Sequence, residues 1–160
     1  MASGLDVAVG LKNPLSGNLL GLVNAVAAAK APHDFIFGGH MVRSAGNALA
    51  HGILRGGDTP NYHAESLLAL HEMGQTAVLV DTNHGNSGKN HARQPKITLQ
   101  VQESRQNPVV KSLVKGLMIE SYIVEGAAQR GAQAFGQSIT DPCLGLAATE
   151  KLIYEIASKI

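Results

Sequence analysis

A chain of 160 residues with 44% hydrophobic content is long enough for one domain with a real core and short for two. Thirteen basic against twelve acidic side chains leave a formal charge of +1, and no basic stripe or interleaved aromatics track a phosphate backbone, which excludes nucleic acid as the expected partner. A single cysteine, Cys143, cannot close an internal disulfide. No charged leader with an apolar core opens the chain, and the most apolar stretch, Leu19 to Ala31, is interrupted by Asn24 and Lys30 well short of a membrane span. The expected address is the cytoplasm, with no membrane partner.

The chain reads as an alternation of strands and helices. Asp6 to Leu11 is a short β-rich run ending at Lys12, followed by a turn from Asn13 to Gly17. Leu19, Leu22, Val23 and Val26 recur at helical spacing until Pro32 ends the pattern. Phe35 to Phe37 is a brief strand candidate closed by Gly38 and Gly39; Met41 to Asn47 fits neither period. His51 to Arg55 is the next strand, stopped by Gly56 and Gly57, and Tyr62 to Met73 is helical. Val78 to Asp81 is an apolar run of the kind buried on both faces, and it delivers an acid, then His84, then small polar residues. Gln94 to Ser104 reads as a helix despite its Val and Thr content. Lys115 to Ser121 is the last strand, Tyr122 to Cys143 is a long polar stretch, and Leu146 to Ile160 closes as an amphipathic helix.

About five strand and helix units in this order imply a parallel sheet and an α/β fold, because each right-handed crossover returns the chain in the same direction. No repeat, linker or domain boundary appears, so residues 1–160 read as a single domain. Parallel sheets and (β/α)8 barrels place their chemistry at the carboxyl ends of the strands. Lys12, Arg55, His84 and Glu120 fall at those ends, with Asp141 in the loop before the last helix. An imidazole and two carboxylates suit a divalent first-row metal; a lysine and an arginine suit a phosphate or carboxylate.

Each residue also has a plainer reading. A histidine among seven is commonly a surface or satisfied core residue. Arg55 before two glycines could be a solvated turn residue, Asp141 before Pro142 ordinary turn chemistry, and Lys12 a snorkelling side chain. Glu120 is harder to dismiss, since a carboxylate at the mouth of a buried strand is costly without a partner. Cys143 reads as a small buried hydrophobe rather than a nucleophile.

Five segments, MASGLDVAVGLKNPLSG, ILRGGDTPNY, DTNHGNSGK, MIESYIVEG and GQSITDPC, occur in an order and spacing that resemble the second half of the type I 3-deoxy-D-arabino-heptulosonate 7-phosphate (DAHP) synthases. That resemblance implies the second part, about five of eight units, of a (β/α)8 barrel. It implies condensation of phosphoenolpyruvate with erythrose 4-phosphate, the first step of the shikimate route to aromatic amino acids. Position by position, Lys12 of GLKNP matches a lysine that contacts phosphoenolpyruvate, and Arg55 of ILRGG an arginine that holds its phosphate. His84, Glu120 and Asp141 match three ligands of the family's metal, which is manganese, iron, cobalt or zinc. On this resemblance Lys12, Arg55 and His84 carry the catalysis.

Other parts of the family pattern have no counterpart. Strands one to three, a KPRT-like substrate segment and the cysteine that is the fourth metal ligand are missing, and Cys143 lies in a different motif. FIFGGH lacks the Thr-Lys-x-Gly that precedes the family's Gly-His pair. A whole barrel takes about 250 residues. A half-barrel would leave sheet edges and an apolar face open, so the expected partner is a second copy or a complementing N-terminal half. The competing expectation is a half-barrel that only binds metal or phosphate, or only assembles, without turnover.

Overall fold

The computed structural model describes residues 1–129 and 134–159. Four parallel strands form its main sheet: β1 (Gly10–Lys12), β4 (His51–Leu54), β5 (Val78–Asp81) and β6 (Val114–Met118), hydrogen-bonded in that order. The architecture is α/β, with the parallel strand and helix units expected of the second part of a barrel. A fifth parallel position is a single bridge between Ser121 and Leu144, which leads into helix α6 (Leu146–Ala157).

The fifth unit is therefore not the Phe35 to Phe37 segment. That segment belongs to β2 (Asp34–Phe37), which pairs antiparallel with β3 (His40–Arg43) in a separate hairpin. The reason is local: Gly38 and Gly39 both take positive φ, at 58° and 81°, so the chain reverses in two residues and cannot cross over. The same hairpin absorbs the start of the stretch from Met41 to Asn47 that fits neither period. The β-rich run before Lys12 shortens to β1, although Val9 still accepts a hydrogen bond from the His51 N–H.

Helices supply the other wall of the core. In α1 (Leu19–Lys30), Asn18 caps the first turn through Gly21, and Leu22, Val26 and Ala29 face inward. Helix α2 (Ala64–Glu72) buries Leu67 and Leu70. A single turn, α3 (His84–Ser87), follows β5. The helix α4 (Gln94–Ser104) holds against its β-branched content because Ile97, Thr98 and Val101 are the residues it buries. A short α5 (Pro108–Leu113), capped by Asn107, adds Val110 and Leu113. Leu22, Val26, Leu67, Leu70, Ile97, Val101, Val110 and Leu113 close on Leu54, Val78, Val80 and Val114 from the sheet in one continuous cluster.

Strand alternation decides what lies on the opposite face. Register places Lys12, Ile53, Leu79 and Gly116 in one row across the sheet. Asp81, two residues beyond Leu79, shares their face. The polar stretch from Tyr122 to Cys143 contains β7 (Val124–Ala127) and β8 (Gln137–Ser138), paired in parallel. Its residues 130–133 lie outside the described residues, as does the expected helix end at Ile160. Among the described residues no helix is long and apolar enough to cross a membrane.

The loops at the carboxyl ends of β1, β4 and β5 are in backbone contact. A Cβ on Gly57 would overlap the backbone nitrogen of Gly17, and one on Gly85 would stand 2.6 Å from the nitrogen of Gly57. Gly57→Ala should therefore destabilise the fold by about 1–3 kcal/mol. The thermal midpoint would fall by about 2–4 °C for each kcal/mol; an unchanged midpoint would mean that these loops part without cost.

Candidate metal centre and anion site

The tip of β5 is the middle of the site. Asp81 is fully buried at the strand end, and its Oδ1 accepts the backbone N–H of Asn83 at 3.0 Å, which turns the chain sharply out of the sheet. His84 then takes a positive φ of 45°, uncommon for a residue with a side chain, and Gly85 follows. That turn brings the imidazole back over the rim. His84 Nδ1 stands 2.8 Å from Asp81 Oδ2, a close contact whose N–H direction falls outside hydrogen-bond alignment.

The opposite nitrogen faces two carboxylates. His84 Nε2 lies 3.5 Å from Glu120 Oε1 and 3.5 Å from Asp141 Oδ2, and one ligand atom from each of the three residues lies within 4.8 Å of the others. Neighbouring ligands in a tetrahedral shell with bonds of about 2.1 Å are separated by about 3.4 Å, so both histidine to carboxylate spacings fit a shared ion. The donor set of one imidazole and two carboxylates has the composition a divalent first-row metal accepts. Two half-exposed carboxylates this close are also mutually repulsive without a cation between them.

Neighbouring residues fix the two carboxylates. Asn83 Nδ2 donates to Glu120 Oε2 at 2.6 Å and to the Pro142 carbonyl at 3.0 Å, so a single amide ties the β6 tip to the loop that carries Asp141. Ser87 Oγ donates to Asn83 Oδ1 at 2.8 Å and sets the orientation of that amide. Buried Gln94 brackets Glu120 from behind: its Oε1 accepts the Glu120 N–H and its Nε2 donates to the Glu120 carbonyl. Leu144 pairs with Glu120 and Tyr122 through their backbones, which holds Asp141 beside the β6 end.

The cationic side adjoins this cluster. Lys12 Nζ stands 2.8 Å from Asp81 Oδ2, the oxygen that His84 also approaches. Arg55 is held by its main chain: its N–H donates to Asn13 Oδ1, and its carbonyl accepts the N–H of Asn86. Its Nε is buried and finds no partner among the described residues. A buried guanidinium nitrogen without an acceptor fits a site whose acceptor is an anionic ligand.

The five residues expected from the sequence therefore surround one rim. His84, Glu120 and Asp141 converge, Lys12 is tied to His84 through Asp81, and Arg55 stands on the adjoining strand end. The sequence reading missed Asp81, Asn83 and Gln94. The signal for Asp81 was present, because the cost of a carboxylate at the end of an apolar strand, which singled out Glu120, applies equally to it. Asn83 and Gln94 gave no such signal, since amides are unremarkable in loops and helix starts. Cys143 is buried and its Sγ donates to the Asp141 carbonyl at 3.3 Å. Burial, together with the charges of Glu120 and Asp141, pushes its thiol above the usual range against the opposing hydrogen bond of Ser138.

Residues 1–153 match the profile of the DAHP synthetase I family. The chain is 39% identical over 173 residues to the Trp-sensitive phospho-2-dehydro-3-deoxyheptonate aldolase of Escherichia coli K12, covering 100% of this chain and 49% of that protein. It is 37% identical over 179 residues to the phospho-2-dehydro-3-deoxyheptonate aldolase of Corynebacterium glutamicum, covering 100% of this chain and 48% of that protein. The solved phospho-2-dehydro-3-deoxyheptonate aldolase of Francisella tularensis superposes with a TM-score of 0.89 at 31% identity, over 99% of this chain and 50% of its own. The chain thus spans about half the length of the curated relatives it matches. With a family match that extends over nearly all of its residues, the chain belongs to the DAHP synthetase I family.

Proposed function

We propose that residues 1–160, a single partial-barrel domain, supply the metal centre and the phosphoenolpyruvate grip of a DAHP synthase. The reaction joins phosphoenolpyruvate to erythrose 4-phosphate and releases phosphate. The observation that carries this reading is the meeting of His84, Glu120 and Asp141 beside Lys12 and a buried, unpartnered Arg55 Nε. Manganese, iron, cobalt or zinc suits that donor set, and the bound ion would supply Lewis-acid polarisation of an oxygen on the substrate or on water.

The protein's own part is positioning and charge. Lys12, paired with Asp81, keeps its remaining N–H donors for the carboxylate or phosphate of phosphoenolpyruvate. Arg55 offers its free Nε–H and the planar fork of its guanidinium to the phosphate. With the phosphate so fixed, C3 of phosphoenolpyruvate forms its bond to the aldehyde carbon of erythrose 4-phosphate. Water adds at C2, and the C2–O bond to phosphate breaks. Of the water's two protons, one is balanced by the proton gained at the aldehyde oxygen and the other leaves with the phosphate as the C2 carbonyl forms. Holding two anionic substrates in reacting register contributes most to such a step.

A cytoplasmic setting fits a chain whose one cysteine is free. The partner would be a second copy or a complementing N-terminal half: among the described residues β1 has a partner strand on one side only, and Leu5, Val7 and Leu15 nearby in sequence are exposed.

Three measurements test this. The purified chain should take up manganese or zinc at about one ion per site, and His84→Ala combined with Glu120→Ala should abolish the uptake; equal metal content in both proteins refutes the ligand assignment. Asn83→Leu, which removes the amide shared by Glu120 and Pro142, should weaken manganese binding by about 10–100-fold with the ligands intact, as read by calorimetry. Phosphate release from phosphoenolpyruvate, dependent on erythrose 4-phosphate, should appear when a first half-barrel of the family is added and should be lost in Arg55→Ala. No release with that supplement favours a half-barrel that binds without turnover.

A further inference from the structure

We infer that Asp81 is a positioning residue through which the metal and the anionic substrate sense each other, an inference that rests on the metal-centre reading above. Its carboxylate is fully buried, and each oxygen is engaged. Oδ1 is committed to the Asn83 N–H in the turn that leads to His84. Oδ2 is shared: Lys12 Nζ and His84 Nδ1 both stand 2.8 Å from it. One buried oxygen thus touches a residue of the anion grip and a residue of the metal cluster.

The sharing has two consequences. The carboxylate beside Nδ1 packs against one side of the ring and leaves Nε2 as the nitrogen that faces Glu120 and Asp141. Lys12 and His84 also draw on the same negative charge. When an anion takes up the lysine's charge, less of it falls on Asp81, whose full negative charge then acts across the imidazole on a bound cation. Phosphoenolpyruvate at Lys12 therefore tightens metal binding at His84, and by reciprocity the metal tightens the anion site. In a buried position that exchange is weakly screened.

Asp81→Asn keeps the shape and removes the charge. Manganese titrations with and without phosphoenolpyruvate, in the wild type and in Asp81→Asn, read both consequences. The wild type should gain about fivefold or more in manganese affinity from phosphoenolpyruvate. Asp81→Asn should lose about 10–100-fold in manganese affinity together with most of that gain, and its cobalt derivative should show a shifted visible spectrum. Unchanged affinity and linkage in Asp81→Asn overturn the inference and leave the metal centre standing; no metal uptake by the wild type overturns both. Because a buried substitution can fail to fold, nitrogen NMR of histidine-labelled wild type supplies a second reading. In the zinc-loaded protein His84 should bind the ion through Nε2, and binding through Nδ1 overturns the inference without any variant.

Discussion

Three buried asparagines hold the rim together, because the loops at the strand ends are packed too closely for water to satisfy their backbones. Asn13 Oδ1 accepts the Arg55 N–H and the Asn61 amide, and its Nδ2 donates to the Pro14 and Gly56 carbonyls. Asn61 Oδ1 accepts the Gly56 N–H. Asn86 reaches from the β5 loop to the Leu54 and Asp81 carbonyls, and its Oδ1 accepts the Asn61 N–H. The ends of β1, β4 and β5 are thereby one rigid piece, and Lys12, Arg55 and His84 inherit fixed positions from it. The glycines at 17, 57 and 85 permit that packing by carrying no Cβ.

The β6 side of the site is built differently. Glu120 and Asp141 are set by amides from residues of the β5 loop and of α4, namely Asn83 and Gln94. Their side chains retain exposure, with Asp141 the more open of the two. The centre thus combines a largely enclosed imidazole beside the Asp81 carboxylate with two carboxylates on a less enclosed edge. Such an arrangement suits ligands that can close by a few tenths of an ångström on an ion while the histidine stays fixed.

Large apolar side chains remain on the surface around this core. Ile36, Phe37 and Met41 are exposed on the β2 and β3 hairpin, and Phe135 and Ile139 flank β8. A chain that matches half the length of its relatives and carries apolar residues in such places has surfaces that a packed neighbour would bury.

The sequence by itself determined the parallel direction of the main strands, the helices between them and the position of Lys12, Arg55, His84 and Glu120 at or just past strand ends. Each of these rests on local information: apolar runs of strand length, helical spacing ended by Pro32, and the rule that parallel units deliver their termini to one side. The motif order carried the family. What only the tertiary structure decided is how those residues are held. The separation of the β2 and β3 hairpin from the sheet follows from two glycine torsions, and the fifth parallel position from a single bridge at Leu144. The role of Asp81 depends on two side chains, one 69 residues before it and one three residues after it, that reach the same oxygen. Pairing across such distances leaves no period in the chain, because hydrogen bonds and ion pairs are specified by positions in space that exist only once the sheet has formed.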